Sequence, residues 1–446
     1  MKKFIVAACA FVCTAALFAG GIDNKTNLNS GFLRNPSRNS EHKRPEAVIY
    51  NIAGTGFMDE GLSFNVGNQF IFKTYKDELE ATGKEYKENK AVLLFPDAEL
   101  VYKKDNWAAF LGFGVFAGGG SLDYKDGTGV TYLALASAVK KMVAGQARPN
   151  IPGQANMTDD QVIAAAGLGT TVATNTAAIA GNHSLDVYSV TMGEILGASY
   201  VLNDNISLSL AGRFLHATQN MTLTSAGLAA TANGGADIGY DAKGYGFGGI
   251  IGINAKDVFV DGLYLAAQYQ TITKMDMEFK STTGNLVSQF GITKGEKFHN
   301  DLPAVLGLGI GYYVNDDIYV SSSFNYYFNK QAKMQNPLGK SDLEYNDSWE
   351  IGLGADWQVL PQLGLSAGTM YSKQGTKEDL NSAFSPVLDS LVTGCGVEYK
   401  VTKQVMLTGS FMHCRYFEKD YKYSGYNMKL NKDIFLAALG VTVKPF

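Results

Sequence analysis

Proline is scarce in this chain of 446 residues, at 10, and charge is low, at 18% of positions. Few prolines beside 50 glycines exclude a collagen-like repeat and a disordered low-complexity chain. The net charge of −4 and the lack of a basic stripe remove the electrostatic case for nucleic acid. Histidine is rarer still: His42, His183, His216, His299 and His413 are scattered. No two stand at metal-ligand spacing, and neither a Gly-x-Ser-x-Gly elbow nor a phosphate-binding loop is present. An activated nucleophile or a metal centre lacks its parts, so the expectation is no enzyme, no cofactor and no metal. What is abundant is aromatic: 25 Phe and 24 Tyr, suited to strands with interfacial ends. The length would suit three ordinary domains, but a large all-β barrel also runs this long as one unit.

Residues 1–19 read as a secretory signal peptide: Lys2 and Lys3, an apolar run from Phe4 to Phe18, then Ala19, Gly20 and Gly21. Cleavage is expected near Ala19. Val6-Ala7-Ala8-Cys9 has the look of a lipoprotein box, but too little apolar sequence precedes Cys9. No other stretch of about 18 apolar residues follows, which excludes a helical span from the mature chain. The mature cysteines are Cys395 and Cys414. A hairpin turning near Thr402–Gln404 sets Cys395 opposite 410 or 411 and Cys414 further along on the other face, so no disulfide is expected.

From Gly61 onward the chain alternates. Ile318, Val320, Phe324, Tyr326 and Phe328 interleave with Ser321, Ser323 and Asn325. Leu208, Leu210 and Phe214 do the same with Ser207, Ser209 and Arg213, as do Trp349, Ile351, Leu353 and Trp357 with Glu350, Gly352, Gly354 and Asp356. A period of two places one face in an apolar medium and the other in a polar one. Fourteen such segments are expected, at 61–75, 90–103, 106–118, 185–202, 205–219, 240–256, 261–275, 299–315, 317–330, 347–358, 363–374, 390–401, 404–417 and 432–446. Most reach the roughly 9–11 residues that a tilted strand needs to cross a bilayer. Short links such as Asn203-Asp204, Asn315-Asp316 and Thr402-Lys403 alternate with long ones at 76–89, 119–184, 220–239, 276–298, 331–346, 375–389 and 418–431. Both termini then fall at the short-link end, the pattern of an outer-membrane barrel with short periplasmic turns and long extracellular loops. The expected class is all-β, a 14-stranded antiparallel transmembrane barrel over residues 61–446. Glycines crowd inward positions at Gly244, Gly246, Gly248 and Gly252, and at Gly307, Gly309 and Gly311. They give either room for a plug close to the wall or relief of tight curvature.

Residues 20–60 do not alternate. They form either a tail outside the pore or a hatch that fills the lumen. Within them, Ala47-Val48-Ile49-Tyr50-Asn51-Ile52-Ala53-Gly54 is similar to the Ala-x-x-Tyr-Asn-Pro-Ala-Gly hatch motif of the FadL family of outer-membrane transporters, departing at Ile52 where proline is the rule. Asp59-Glu60-Gly61-Leu62 leading to Asn68-Gln69, Gly212-Arg213-Phe214 within 208–217, and Asp301-Leu302-Pro303-Ala304 before Gly307–Tyr313 resemble further family segments in the same order. The terminal Phe446 is similar to the aromatic end that barrel assembly machinery recognises; it falls off the parity of Phe435, Ala437, Leu439, Val441 and Val443, and a kink at Pro445 would reconcile them. The resemblance implies a monomeric bacterial outer-membrane transporter of long-chain fatty acids or other hydrophobic molecules. A hatch at Tyr50, Asn51, Ile52, Ala53 and Gly54 would plug the lumen.

Such a transporter needs an apolar docking surface, an interior pocket and a plug that yields. In 119–184, Tyr132, Leu133, Leu135, Val139, Met142 and Val143 recur at helical spacing, and Thr158 to Gln161 reads as a capping box opening a second helix. Leu135 and Met142 are candidate ligand contacts if that helix pair exposes its apolar face, and lid packing if it does not. Arg213 and Lys400 face the lumen and could hold a carboxylate headgroup, or could pair with Glu350, Asp356 or Glu398. The resemblance implies a kink in the third strand, placed at Gly118, Gly119 and Gly120, through which ligand leaves sideways into outer-membrane lipid. Ordinary turn chemistry is the alternative. Two further functional readings stay open: a general diffusion porin, and a surface adhesin acting through its loops.

Overall fold

The computed structural model describes residues 27–445 except 154–155, 226–237, 285–286, 288–291, 338–339, 341, 376–386 and 424. The leader and Phe446 lie outside the described residues. Fourteen antiparallel strands run in chain order around a barrel. They are β1 (Gly61–Leu79), β2 (Lys84–Glu88, continued by Pro96–Lys104), β3 (Trp107–Tyr124), β4 (His183–Asn203), β5 (Ile206–Ser225), β6 (Ile238–Lys256) and β7 (Leu263–Gln270 and Lys274–Thr283). There follow β8 (Lys297–His299 and Ala304–Asn315), β9 (Ile318–Phe328), β10 (Ser348–Leu360), β11 (Leu363–Lys373), β12 (Ser390–Lys400), β13 (Val405–Tyr416 and Lys419–Tyr423) and β14 (Tyr426–Val443). β14 returns to β1 in register from Phe64↔Val443 to Leu79↔Met428, so the sheet closes. Each segment expected from alternation contains one of these strands, although the expected 90–103 is strand only from Pro96 and the expected 299–315 is interrupted before Ala304.

The short turns share one chemistry. Asn203 Oδ1 accepts from the N–H groups of Asn205 and Ile206 at 3.0 and 2.9 Å. Asn315 does the same for Asp317 and Ile318 at 3.0 and 2.9 Å, so the side chain closes the turn in place of backbone. At the other end the strands run further than expected, β1 to Leu79, β3 to Tyr124 and β5 to Ser225. The reason is a reversal of sign. In the middle of the wall, Leu208 and Leu210 point out and are exposed while Ser207 and Arg213 point in and are buried. Higher up, Met275, Met277 and Phe279 point in and are fully buried, while Asp276, Glu278 and Lys280 alternate with them on the outside.

The exposed apolar residues form a belt with a member on each strand, from Phe64 on β1 and Leu100 on β2 to Leu407 on β13 and Leu439 on β14. Aromatic pairs border it: Trp107 and Tyr200 at 4.7 Å near the short turns, Phe214 stacked on Tyr245 at 6.1 Å and Trp349 beside Tyr371 at 5.7 Å towards the long loops. This is the girdle arrangement of strands that cross lipid. Cys395 lies opposite Phe411 and Cys414 opposite Val392, one thiol exposed and one buried, on the two faces that parity assigned.

The segment 119–184 is mostly ordered structure rather than link. Gly119–Tyr124 completes β3, and three helices follow after the short α1 of the N-terminal segment (Ala47–Tyr50): α2 (Gly129–Ala147), α3 (Asp159–Ala165) and α4 (Gly169–Ile179). The Thr158–Gln161 capping box opens α3 as expected. α4 begins after Leu168 without a side-chain cap, which left no signal for it in the sequence.

Candidate ligand path

Residues 27–60 lie inside the lower barrel and are buried along almost their whole length. Asn29 caps a 3-10 turn at Ser30–Leu33 by accepting from the Phe32 N–H, and Asn51 caps another at Ile52–Phe57 by accepting from the Gly54 N–H. The same Asn51 side chain donates to Asn254 Oδ1 at 2.8 Å and to the Glu41 carbonyl at 3.0 Å. The Ile52 N–H donates to Gln268 Oε1 at 2.9 Å, a bond that a proline at this position could not make. Thr55 meets Ser199 at 2.8 Å, and Tyr50 accepts from the Leu28 N–H at 3.2 Å. A Cβ on Gly54 would sit 2.2 Å from the Glu41 carbonyl oxygen. The hatch motif is thereby tied to β6 and β7, and Thr55 just after it to β4.

A charge cluster completes the seat. Arg34 is wholly buried and reaches Glu46 at 2.7 Å, Asp356 of β10 at 3.2 Å and Glu398 of β12 at 3.5 Å. Arg38 pairs with Glu41 at 2.8 Å, and Arg44 donates to Glu398 through Nε at 2.7 Å and through Nη2. The guanidinium groups hold the buried Glu41 carboxyl well below its ordinary value. His42, in contrast, is pushed down to about 4, mainly by burial. The neutral ring stacks on Tyr264 at 3.7 Å and meets the Ser40 carbonyl and Tyr313 hydroxyl at 3.0 and 3.1 Å.

The inward glycines divide between the two readings given them. A Cβ on Gly309 would lie 2.4 Å from the Asn39 backbone and one on Gly252 would lie 3.2 Å from Ile52, so both make room for the plug. At Gly244 and Gly246 the obstructing atoms belong to β7 itself, and there the absence of a side chain serves the approach of two strands.

Above the hatch a small cavity of about 60 Å³ is lined by Phe116, Arg213, Gln268, Leu302, Asn325 and Tyr327 among others. That is room for a few waters. Arg213 does not pair with the luminal acids. It donates to Gln270 Oε1 at 2.5 Å, the Thr271 carbonyl at 3.3 Å and Thr273 Oγ1 at 2.7 Å, stitching the interruption of β7 from inside. Two buried donors of the lining, Arg213 Nε and Asn325 Nδ2, have no partner among the described residues. The acids are engaged elsewhere: Asp356 and Glu398 with the hatch arginines, and Glu350 with Tyr327 at 2.7 Å and Ser372 at 3.0 Å. Lys400 stands on the luminal parity but is exposed at the short-turn mouth beside Lys403 and Lys444. The structure therefore does not bring it to Arg213. The barrel floor ends before that residue, and a luminal position by parity is there a position in water.

Gly118, Gly119 and Gly120 are not a turn. β3 continues past them, with Gly118 and Gly120 at φ 91° and 79°. Between Val115↔Met192 and Gly120↔Ser189 the β3 side carries two more residues than β4, a bulge that bends the strand. On its other side the β2–β3 ladder runs only from Lys104↔Trp107 to Ala98↔Phe113. There β2 is irregular between Glu88 and Pro96: it keeps an isolated backbone bridge from Val92 to Ile71 of β1 but makes no ladder with β3, and Leu93 and Leu94 are 61% and 74% exposed. Closure at this height is by side chains: Lys73 of β1 donates to the Ser121 carbonyl, and Val92 lies 3.1 Å from where a Gly120 Cβ would be. Phe116, the first residue of the bulge, carries the Arg213 guanidinium at 5.8 Å from its ring centre. Two sites singled out separately in the sequence thus meet across one aromatic ring.

Leu135 and Met142 are 0% and 7% exposed, so they are interior to the cap formed by α2 and offer no docking surface. α2 is fixed at its start by the Thr128–Thr131 capping box and by Asp77, which accepts from the Gly129 N–H at 2.8 Å. His183 joins Thr131 to the Ala180 carbonyl at 2.6 and 2.7 Å. Its apolar body packs with Leu79, Tyr124, Leu185, Met221, Met277 and Met428 in one continuous core. The sequence reading missed the arginine–carboxylate seat. Its only trace was the i, i+3 spacing of Arg38, Glu41 and Arg44, unusual in an otherwise turn-rich segment.

A closed fourteen-stranded barrel with a lipid-facing belt and a luminal plug is an outer-membrane transport barrel. The family model described as outer membrane protein transport protein (OMPP1/FadL/TodX) matches residues 159–424, and the chain belongs to that family, whose members move hydrophobic compounds. A Pseudomonas aeruginosa FadL homologue of solved structure is 14% identical, with 96% of this chain and 100% of that one aligned at a TM-score of 0.67. The P. putida toluene transporter TodX is 15% identical, over 89% of this chain and 93% of its own, with a TM-score of 0.57. The monoaromatic hydrocarbon channel CymD is 11% identical over 96% and 98%, with a TM-score of 0.52. At these identities the likeness concerns the fold. No curated protein matches the sequence.

Proposed function

We propose that this barrel takes up long-chain fatty acids or similar hydrophobic molecules. The ligand enters beneath the helical cap, occupies the apolar upper lumen and leaves sideways through the wall at the β3 bulge. The protein acts as a monomer, exported by the signal peptide at 1–19 and placed by barrel assembly machinery; an apolar belt with a member on every strand supports a barrel surrounded by lipid. The observation that carries the path is the coincidence of the bulge at Phe116–Gly120 with the end of the β2–β3 ladder. An apolar ligand has no reason to cross the charged hatch when an opening into lipid lies above it. Arg213 and Asn325, with unpartnered donors on the cavity wall, supply the place for a carboxylate. A diffusion porin fits less well, because the hatch contacts fill the lower lumen.

The test is to delete Gly118 and Gly119, which returns β3 to continuous register with β4. Fatty-acid binding to the purified variant should persist while uptake by cells expressing it falls to the level of a strain lacking the protein. Uptake at the original rate would remove the lateral route and leave release past the hatch.

A further inference from the structure

The outer surface of β6, β7 and β8 just above the belt differs from the rest of the circumference. Phe247 and Tyr245, 73% and 62% exposed, mark the top of the belt on β6. Phe247 lies opposite Lys274, Tyr245 opposite Asp276 and Lys243 opposite Glu278. On the next ladder Glu278 lies opposite Lys297 and Asp276 opposite His299. Elsewhere at this height several outward cations have acids of their own: Lys76 with Glu85 at 3.1 Å, Lys429 with Glu80 at 3.4 Å, His413 with Asp433 at 2.7 Å. Here five lysines line one recess with three acids, Asp276, Glu278 and Asp301, and each acid already has another partner. Glu278 engages Lys280 at 2.7 Å and Asp276 engages His299 at 2.8 Å. Asp301 accepts from the backbone N–H groups of Met275 and Lys333 at 2.9 and 3.1 Å. Lys243, Lys274, Lys297 and Lys333 line a recess of about 640 Å³ with no ion pair among the described residues. The recess lies beside the interruptions of β7 at 271–273 and of β8 at 300–303.

We propose that this recess holds the phosphate groups of the phosphorylated glycolipid of the outer leaflet. Height and charge both select that occupant. At a rise of about 3.3 Å per residue, Lys243 stands roughly 7 Å above Tyr245, where headgroups meet the acyl chains that cover the belt. Four ammonium groups, each a compact donor of several hydrogen bonds, match phosphate oxygens. Exposed Phe247 and Tyr245 directly beneath offer the acyl chains a surface continuous with the site.

The experiment incubates the purified barrel in detergent with bisphosphorylated lipid A and counts retained lipid by native mass spectrometry. Dephosphorylated lipid A, a K243Q/K274Q/K297Q/K333Q variant and a K76Q/K429Q variant run beside it, each protein verified as folded by its β-sheet circular dichroism. Wild type and K76Q/K429Q should retain bisphosphorylated lipid, the quadruple variant should hold it about tenfold or more weakly, and dephosphorylated lipid should be lost from all three. Undiminished retention by the quadruple variant overturns the proposal. So does equal retention of the dephosphorylated lipid, or an equal loss in K76Q/K429Q.

Discussion

The upper and lower halves of this lumen are both full, but they are filled by opposite kinds of contact. Below, the hatch is held by directional bonds: three arginines on four carboxylates, asparagine caps and serine hydroxyls. Above, α2 rests in a wall of leucine, methionine, tyrosine and phenylalanine, with polar anchoring mainly at its ends. Apolar packing is non-directional, and its loss is largely made good when another apolar surface takes the place of the first. A buried ion pair has no such substitute, because a greasy ligand would leave its charges unpaired. On the path proposed above, the half that admits a hydrophobic guest is built of contacts the guest can replace. The half that must keep the barrel shut is built of contacts it cannot.

Removing one member of the charge cluster is the sharpest way to break that contrast. Arg34→Ala leaves Glu46 and Asp356 short of their best partner and should weaken the seat by about 3–5 kcal/mol. Protease cleavage within residues 27–60 should accelerate, and planar-bilayer conductance should rise in bursts as the hatch leaves. A hatch as protected as in wild type would mean the cluster is not what holds it. In the upper half, Leu135→Ala should cost about 2–5 kcal/mol of local stability, read as faster hydrogen exchange along α2. Fatty-acid binding should survive it, and lost binding would show that the cap is shaped for its ligand. The smallest effect is one of pH. A seated His42 titrates near 4, while a released one takes its proton near 6.5. Hatch seating is therefore undiminished above about 6.5 and weakens as pH falls towards 4. Cleavage of the hatch should rise between pH 7.5 and 5, and His42→Phe should flatten that slope.

Strand number, order and parity were legible because lipid imposes one rule on every outward residue of the belt. The extensions above it were hidden because the rule inverts there. Lys76 and Glu78 face water while Tyr75, Asp77 and Leu79 pack inward, so a search for apolar residues on the outer parity stops too soon. Motif recognition located Tyr50–Gly54, yet what Asn51 and Ile52 grip lies 203 and 216 positions away, at Asn254 and Gln268. The pairing of Arg34 with Asp356 spans 322 positions and leaves no periodic trace. Leu135 and Met142 were found as an apolar helix face. Whether that face meets water or a wall is decided by strands closed around it, which local spacing does not encode.

Ser30 has a consequence for how the molecule comes together. Its hydroxyl occupies the space that a Cβ would take on Gly67 of β1 and lies 3.4 Å from the Cβ position on Gly440 of β14, the two strands whose meeting completes the cylinder. Its backbone N–H and hydroxyl are meanwhile held by Asp97 of β2, both at 3.0 Å. The seam from Phe64↔Val443 to Leu79↔Met428 thus closes directly against the plug, so a side chain added at Gly67 would have to displace Ser30 before the two strands could meet.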